Sequence, residues 1–274
     1  LPDFCDEFVV ESTVKKYSDF IAYPILMKKE VFKTVGEGEN AKSEKSIEEA
    51  TLNSMKPIWT RAKSDVKDEE YNEFYKHLSH DWEDPLKVIN YRAEGRIEYQ
   101  ALLYLPHRAP FALYYTSFKG GLQLYVKKVL ILERAEELLP RYLRFVRGVV
   151  ESSDLPLNIS REMIQESPLL AAIRKGLTNR ILGDLAKLAE NDAQAYAKIW
   201  ENFGVVLKEG LYEDFERREQ LFKLACFRST ASTERMRSLA DYVSAMKDGQ
   251  KAIFFMAGDD RARLEASPQL EGFK

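Results

Sequence analysis

Phe145-Val146-Arg147-Gly148-Val149-Val150-Glu151-Ser152-Ser153-Asp154-Leu155-Pro156-Leu157-Asn158-Ile159-Ser160-Arg161-Glu162-Met163-Ile164-Gln165 is the densest stretch of the chain. Its first six residues are almost continuously apolar and read as a buried strand. Pro156 fixes a loop, and apolar residues then recur every three or four positions beyond Pro168: Leu169, Ile173, Leu177, Ile181, Leu185 and Leu188. That spacing is one face of a long amphipathic helix. A strand therefore passes through a polar loop into a helix, which makes the chain a mixed α/β protein. Arg161 falls near the start of that helix. A helix N-terminus favours anions, and a guanidinium adds a planar, permanently charged fork suited to phosphate. Asn158 and Gln165 place neutral donors on either side. The same arginine also reads as a surface residue paired with Glu162 or Glu166, because exposed ion pairs are common.

Working outward, residues 6–19 read as a short amphipathic helix carrying Phe8, Val9, Val14 and Tyr17. Ile21 to Met27 reads as a strand bent at Pro24, and the polar run at 35–47 as a mobile loop. Asp68 to Ser79 places Tyr71, Phe74, Tyr75 and Leu78 on one helical side. From Ile97 to Leu105 the period changes to two, which is strand behaviour ended by Pro106. Phe111–Thr116 and Leu122–Leu132 read as further strands about Lys119-Gly120-Gly121. Beyond the long helix, Asp192 caps a second one that stops near Gly204, and a third runs from about Glu213 to Cys226. Ser238, with Asp241 three residues on, makes a capping box ahead of Gly249. Lys251–Ala257 reads as a strand, with a helix from Asp259.

Composition excludes several classes. The 274 residues are 45% hydrophobic and 31% charged, enough apolar surface to offset chain entropy. Net charge is −3, with no global basic excess that would suit nucleic acid. No apolar run approaches the roughly 18 residues that span a bilayer. Cys5 and Cys226 lie far apart and suggest reduced thiols in a reducing compartment. The chain begins on leucine, and its tail holds one expected strand with no sequence neighbour, so an excised piece is expected.

Other motifs are weaker. Gly36-Glu37-Gly38-Glu39-Asn40-Ala41 fits a dinucleotide fingerprint, but polar Lys42-Ser43-Glu44-Lys45 follows where an apolar helix is needed, and a flexible loop is the better reading. His77 and His80 sit at i, i+3 with Asp81 and Asp84 behind them, yet no third ligand stands at a motif spacing and His107 is remote, so no metal is expected. There is no G-x-S-x-G, C-x-x-C or Walker loop. Trp59, after the Lys56-Pro57 turn, reads as a core anchor before an exposed contact, and Phe118, before Gly120, as part of an ordinary hairpin or loop or as an exposed contact toward a partner.

The stretch Phe145–Met163 resembles the signature of the ninety-kilodalton heat-shock chaperones. So do Lys15–Ile21 (KKYSDFI), Lys56–Arg61 (KPIWTR), Glu70–Phe74 (EYNEF), Asp81–Pro85 (DWEDP), Leu105–Phe111 (LPHRAPF), Glu209–Asp214 (EGLYED), Phe227–Thr230 (FRST), Asp241–Val243 (DYV) and Gly249–Lys251 (GQK). The short Lys119-Gly120-Gly121 loop resembles the bacterial branch, high-temperature protein G. The resemblance implies a middle domain: a larger α/β/α sandwich with a left-handed βαβ crossover, a short helical coil and a smaller α/β/α unit. The corresponding expectation here is residues 1–190 for the larger unit with its catalytic loop, 191–215 for the helical connector and 216–274 for the smaller unit, cut short. It further implies that Arg161 is a catalytic arginine reaching the γ-phosphate of ATP, with Gln165 and Asn158 in support. Trp59 and Phe118 would contact client proteins and be at least partly exposed. ATP and Mg²⁺ would belong to the full-length protein, with no cofactor in this chain, which alone would be no enzyme. Expected partners are the protein's own N-terminal ATP-binding domain, unfolded or partly folded clients and the bacterial chaperone DnaK, in the cytoplasm. Dimerisation would run only through a C-terminal domain. The alternative is a standalone kinase-like α/β enzyme in which Arg161 holds a small phosphorylated substrate.

Overall fold

The computed structural model describes residues 6–35, 42–95, 97–115, 117–157 and 167–273, with side chains at 31–35, 42–44, 233–234 and 273 left aside. It divides into two compact units, Leu1–Asn179 and Arg180–Lys274, and the division falls inside one long helix.

The first unit opens with α1 (Glu7–Tyr17), capped by the Asp6 carboxylate, which accepts from the Val9 N–H at 3.0 Å. A two-stranded antiparallel hairpin follows, β1 (Leu26–Val35) with β2 (Lys42–Thr51). The strand expected at Ile21–Met27 thus starts only at Leu26, past Pro24. Much of the expected mobile loop is instead paired backbone. Its polar residues are compatible with a strand because oppositely charged side chains meet across the ladder, as in Lys45 to Glu30 at 2.6 Å. Residues 36–41, with the glycine motif, lie outside the described residues.

Helix α2 (Asp68–Ser79) has the bounds its periodicity gives. Three acidic residues occupy its first turn and Lys76 and His77 its last, complementing the helix dipole. His80 ends it in the left-handed region at φ 57°. A five-stranded sheet then forms in the order β3 (Lys87–Ala93), β4 (Tyr99–Leu105), β7 (Arg147–Glu151), β5 (Leu122–Val126), β6 (Val129–Ala135). All its pairs are antiparallel except β5 with β7, which are joined through β6 and two 3-10 turns. Phe111–Tyr114, expected as a strand, is a 3-10 turn with only Leu113 buried. Pro110 opens it, and its aromatics supply no alternation for a sheet face. β7 is central, and one core cluster lies on its α2 side, where Trp59, Tyr71, Tyr75, Leu102, Tyr104, Tyr125 and Val149 pack together; the alternate residues Leu103, Leu124 and Val150, on the opposite face, are fully buried as well.

Helix α3 (Pro168–Asn191) carries the long apolar stripe, with Leu170, Ile173, Leu177, Ile181 and Leu185 buried. In the second unit α4 (Ala193–Glu213) is capped by Asp192, which accepts from the Ala195 N–H at 2.9 Å. It does not stop at Gly204. A Cβ there would lie 2.8 Å from the Trp200 indole, so this glycine lets the ring lie against its own helix rather than ending it. A 3-10 turn (Phe215–Arg217) leads to α5 (Arg218–Leu224), and β8 (Cys226–Ser229) pairs with β9 (Ser232–Ser238). The Ser238–Asp241 capping box opens α6 (Leu239–Ser244), and Asp260 caps α7 (Arg261–Glu265). Lys251–Ala257 is exposed and forms no ladder among the described residues, so its apolar character alone does not make it a strand. Cys226 is a free thiol, and burial pushes its pKa up to about 11.

Candidate functional site

Asn158, Arg161 and Gln165 lie outside the described residues; the residues that flank their segment on either side lie within them. The leading shoulder leaves the end of β7. Glu151 is 8% exposed, and its carboxylate accepts from the Trp59 indole N–H at 2.6 Å and from the Lys128 backbone N–H at 2.9 Å. One residue on, the Ser152 N–H donates to the Tyr125 carbonyl at 3.2 Å and its hydroxyl to the Glu98 carbonyl at 2.7 Å. Asp154 then accepts from the Glu98 N–H at 2.9 Å, and Leu155 is buried. Successive residues are thus tied to β4's approach, to β5 and to the β5–β6 turn. The trailing shoulder is Ser167, whose carbonyl accepts from the Ala171 N–H at 3.1 Å in the first turn of α3.

Trp59 corrects an expectation. It is 3% exposed, not partly open. Its ring sits 4.8 Å from Phe20 and 4.9 Å from Tyr125, centroid to centroid, and its one polar atom is used by Glu151. An indole needs a partner for its N–H when buried, and Glu151 supplies it. No ring face is left for a client in this arrangement.

Phe118 is half-buried. The Gly120–Gly121 pair presses its loop onto the sheet: a Cβ at Gly120 would lie 2.4 Å from the Arg144 carbonyl oxygen, and Gly121 has φ +142° against the Arg134 backbone. Phe118 consequently lies over the Arg147 guanidinium, 5.4 Å from ring centroid to the central carbon. Burial, the largest cause, lowers the Arg147 pKa; the Tyr75 phenol beside it acts the other way, and the neighbouring Arg134 charge, the smallest of the three, lowers it further.

Sequence reasoning missed Glu151 and Arg147 as site residues. Their signal is a charge at each end of an otherwise apolar strand, four residues apart and therefore on one face. It also missed two exposed aromatics, Trp82 at 92% and Phe111. The Glu83–Arg108 ion pair at 2.9 Å ties together the segments that bear them. His77 and His80 occupy the end of α2, and among the described residues no group of three or more His, Cys, Asp or Glu could hold a metal ion. Among the same residues no helix is long and apolar enough to cross a membrane.

The family model of the Hsp90 protein matches residues 33–274. The chain belongs to the Hsp90 family. It is 69% identical over 217 residues to the chaperone protein HtpG of Mesorhizobium japonicum, covering 79% of this chain and 34% of that protein. It is 49% identical to HtpG of Nocardia farcinica over 275 residues, covering 100% of this chain and 42% of that protein. Among solved structures it is similar to the middle domain of a Plasmodium falciparum protein described as a heat shock protein, with a TM-score of 0.70 and 30% identity over 79% of this chain and 85% of that one. The chain therefore spans between about a third and two fifths of the length of these curated relatives. The mixed α/β fold and the likeness to a middle domain of this family agree with the resemblance carried by the motifs around Arg161. The Trp59–Glu151 and Phe118–Arg147 contacts are features of this Hsp90 chain's own residues, read from its geometry.

Proposed function

We propose that this chain is the middle segment of an ATP-dependent chaperone of the HtpG type, and that Arg161 completes the ATP site of an N-terminal domain. The observation that supports this most is the anchored shoulder at the end of β7, where Glu151, Ser152 and Asp154 each bond to a different neighbour just ahead of the Arg161 loop. An arginine on such a base can reach a second domain without its root moving. Arg161 places positive charge where the γ-phosphate oxygens gain negative charge, an effect that appears only when the domains close. Gln165 and Asn158 donate from either side and hold the loop's reach. On this reading Mg²⁺ and the nucleotide belong to the other domain. On the same reading the segment alone is no ATPase, because the arginine acts on a nucleotide held elsewhere. Clients are held partly through the Phe118 region, the protein works in the cytoplasm with DnaK as a partner, and its dimer forms through a C-terminal domain. No observation favours a standalone kinase-like enzyme.

The test is steady-state hydrolysis beside nucleotide affinity in the full-length protein. Arg161→Ala should lower kcat about 10–10³-fold, less than arginine fingers that act on chemistry alone, with ATP affinity nearly unchanged. Arg161→Lys should restore only part, since an ammonium makes no planar two-point contact. Unchanged turnover in Arg161→Ala would return this residue to a surface ion pair. The 274-residue chain alone should bind ATP no better than about millimolar by calorimetry.

A further inference from the structure

Arg147, Val149 and Glu151 alternate along β7 and share the face on which α2 packs. Both charged groups are held out of bulk water under an aromatic ring. They differ in what they are given. A guanidinium carries five N–H donors. Among the described residues Arg147 places one of them, on the Arg144 carbonyl at 3.4 Å, and forms no ion pair. The Tyr75 phenol on α2 eases its charge in part, without a hydrogen bond to it among the described residues; its other neighbour, Arg134, is exposed, is another cation, and likewise has no ion pair among those residues. Arg144, beside them, is turned inward to the Leu113 and Arg141 carbonyls, each at 3.1 Å. A partly desolvated cation with spare donors and a like charge at its side is a costly arrangement unless something negative arrives.

The loop that makes the arrangement also shapes it. Gly120 and Gly121 bring Phe118 over Arg147, and the Phe118 N–H donates to the Tyr115 carbonyl at 3.0 Å, so the exposed Tyr115 ring stands on the same loop. The occupant that suits this surface has an acidic group for the two arginines and an apolar flank for the rings. We infer that Phe118, Arg147 and Arg134 form a receptor for the carboxylate of an Asp or Glu side chain flanked by apolar residues in an unfolded client polypeptide. This rests on the client-contact part of the function proposed above and names the chemistry that the contact selects. The charge complementarity is local: the chain as a whole carries −3. A buried bidentate carboxylate contact replaces the lost solvation of Arg147, and Phe118 keeps water from the pair.

The experiment is fluorescence anisotropy with the 274-residue chain and a labelled, unstructured twelve-residue peptide alternating Glu with Leu and Phe, against the same peptide with Gln for Glu. The Glu peptide should bind about tenfold tighter, the value of one charge-assisted hydrogen bond. Arg147→Met should remove that preference. Arg134→Gln, an exposed change with no folding risk, should cut it about threefold and weaken its dependence on salt. Equal affinity for the two peptides overturns the inference, as does a preference unchanged in Arg134→Gln. Should Arg147→Met fold poorly, Arg134→Gln and Arg147→Lys decide. Millimolar inorganic phosphate that binds at Arg147 while neither peptide does would make this a simple anion site and also overturn it. If the peptide preference is absent while Arg161→Ala still lowers kcat, the receptor falls and the chaperone reading stands.

Discussion

The two ends of β7 make a controlled comparison within one strand. At its C-terminal end a carboxylate lies beneath Trp59; at its N-terminal end a guanidinium lies beneath Phe118. Indole brings an N–H as well as a ring, so Glu151 receives a hydrogen bond at 2.6 Å and a second from Lys128. Phenylalanine brings only its ring face, so Arg147 is met by a cation–π contact and keeps unused donors. The first end is closed and self-sufficient, and it lies a few residues ahead of Arg161 in the sequence. The second is incomplete. A sequence reading that treats Trp59 and Phe118 as equivalent contact aromatics misses this, because the distinction lies in the charged residue beneath each ring. It follows that the two ends should respond oppositely to removal of their charges.

The largest effect belongs to Trp59. Trp59→Ala empties an indole-sized space among Phe20, Phe74 and Tyr125 and strands one oxygen of Glu151. Equilibrium denaturation should show a loss of about 3–5 kcal/mol. A loss below about 1 kcal/mol would mean that the ring is not the core element its contacts indicate.

Glu151→Ala comes next. It leaves the Trp59 and Lys128 N–H groups buried without an acceptor, and the expected cost is about 2–3 kcal/mol by the same measurement. Glu151→Gln keeps one acceptor oxygen and should cost roughly half of that. Arg147→Met, by contrast, replaces an under-satisfied cation with an apolar side chain of similar length. Its stability should be unchanged or higher by about 1 kcal/mol. Equal losses in Arg147→Met and Glu151→Ala would erase the asymmetry between the ends and, with it, the reason to expect a ligand at Arg147.

What could be read in advance follows from how local each signal is. Helix α2 and the caps at Asp192 and Ser238 depend on residues within four positions of one another, and they stand as read. The apolar run of β7 and the alternation of β4 are equally local. The β1–β2 hairpin was hidden because its second strand is polar and alternates no apolar face; what holds it is pairing with the strand just before it, which hydrophobic periodicity does not report. Gly204 misled because its role concerns a ring one turn back rather than its own backbone freedom. At the site the order reverses. Motif resemblance singles out Arg161, Gln165 and Asn158 without geometry, whereas Glu151 to Trp59, separated by 92 positions, needs the fold to be visible at all.

The smallest effect is also the most selective. Arginine keeps its proton throughout the accessible range, so the wild-type Arg147 site is silent to pH. Lysine at the same position is not. Burial, which outweighs the opposing Tyr75 phenol and is joined by the Arg134 charge in lowering the pKa of the native guanidinium, would act on an ammonium in the same direction. In Arg147→Lys the folded-state pKa then lies below the unfolded value of about 10.4. Between those two values the unfolded chain binds more protons than the folded one, so stability rises with pH across that window. It is flat below the folded pKa and flat again above the unfolded one. Each unit of depression is worth about 1.4 kcal/mol. Thermal melts of wild type and variant at pH 8 and pH 10 should therefore show the variant gaining on wild type by about 2–4 °C for each kcal/mol. An acidic peptide bound at the site would abolish the gain, because a carboxylate beside the ammonium raises its pKa again. A variant whose melting point tracks wild type at both pH values, with or without peptide, would show that position 147 is well solvated and that the open end of β7 is as satisfied as the closed one.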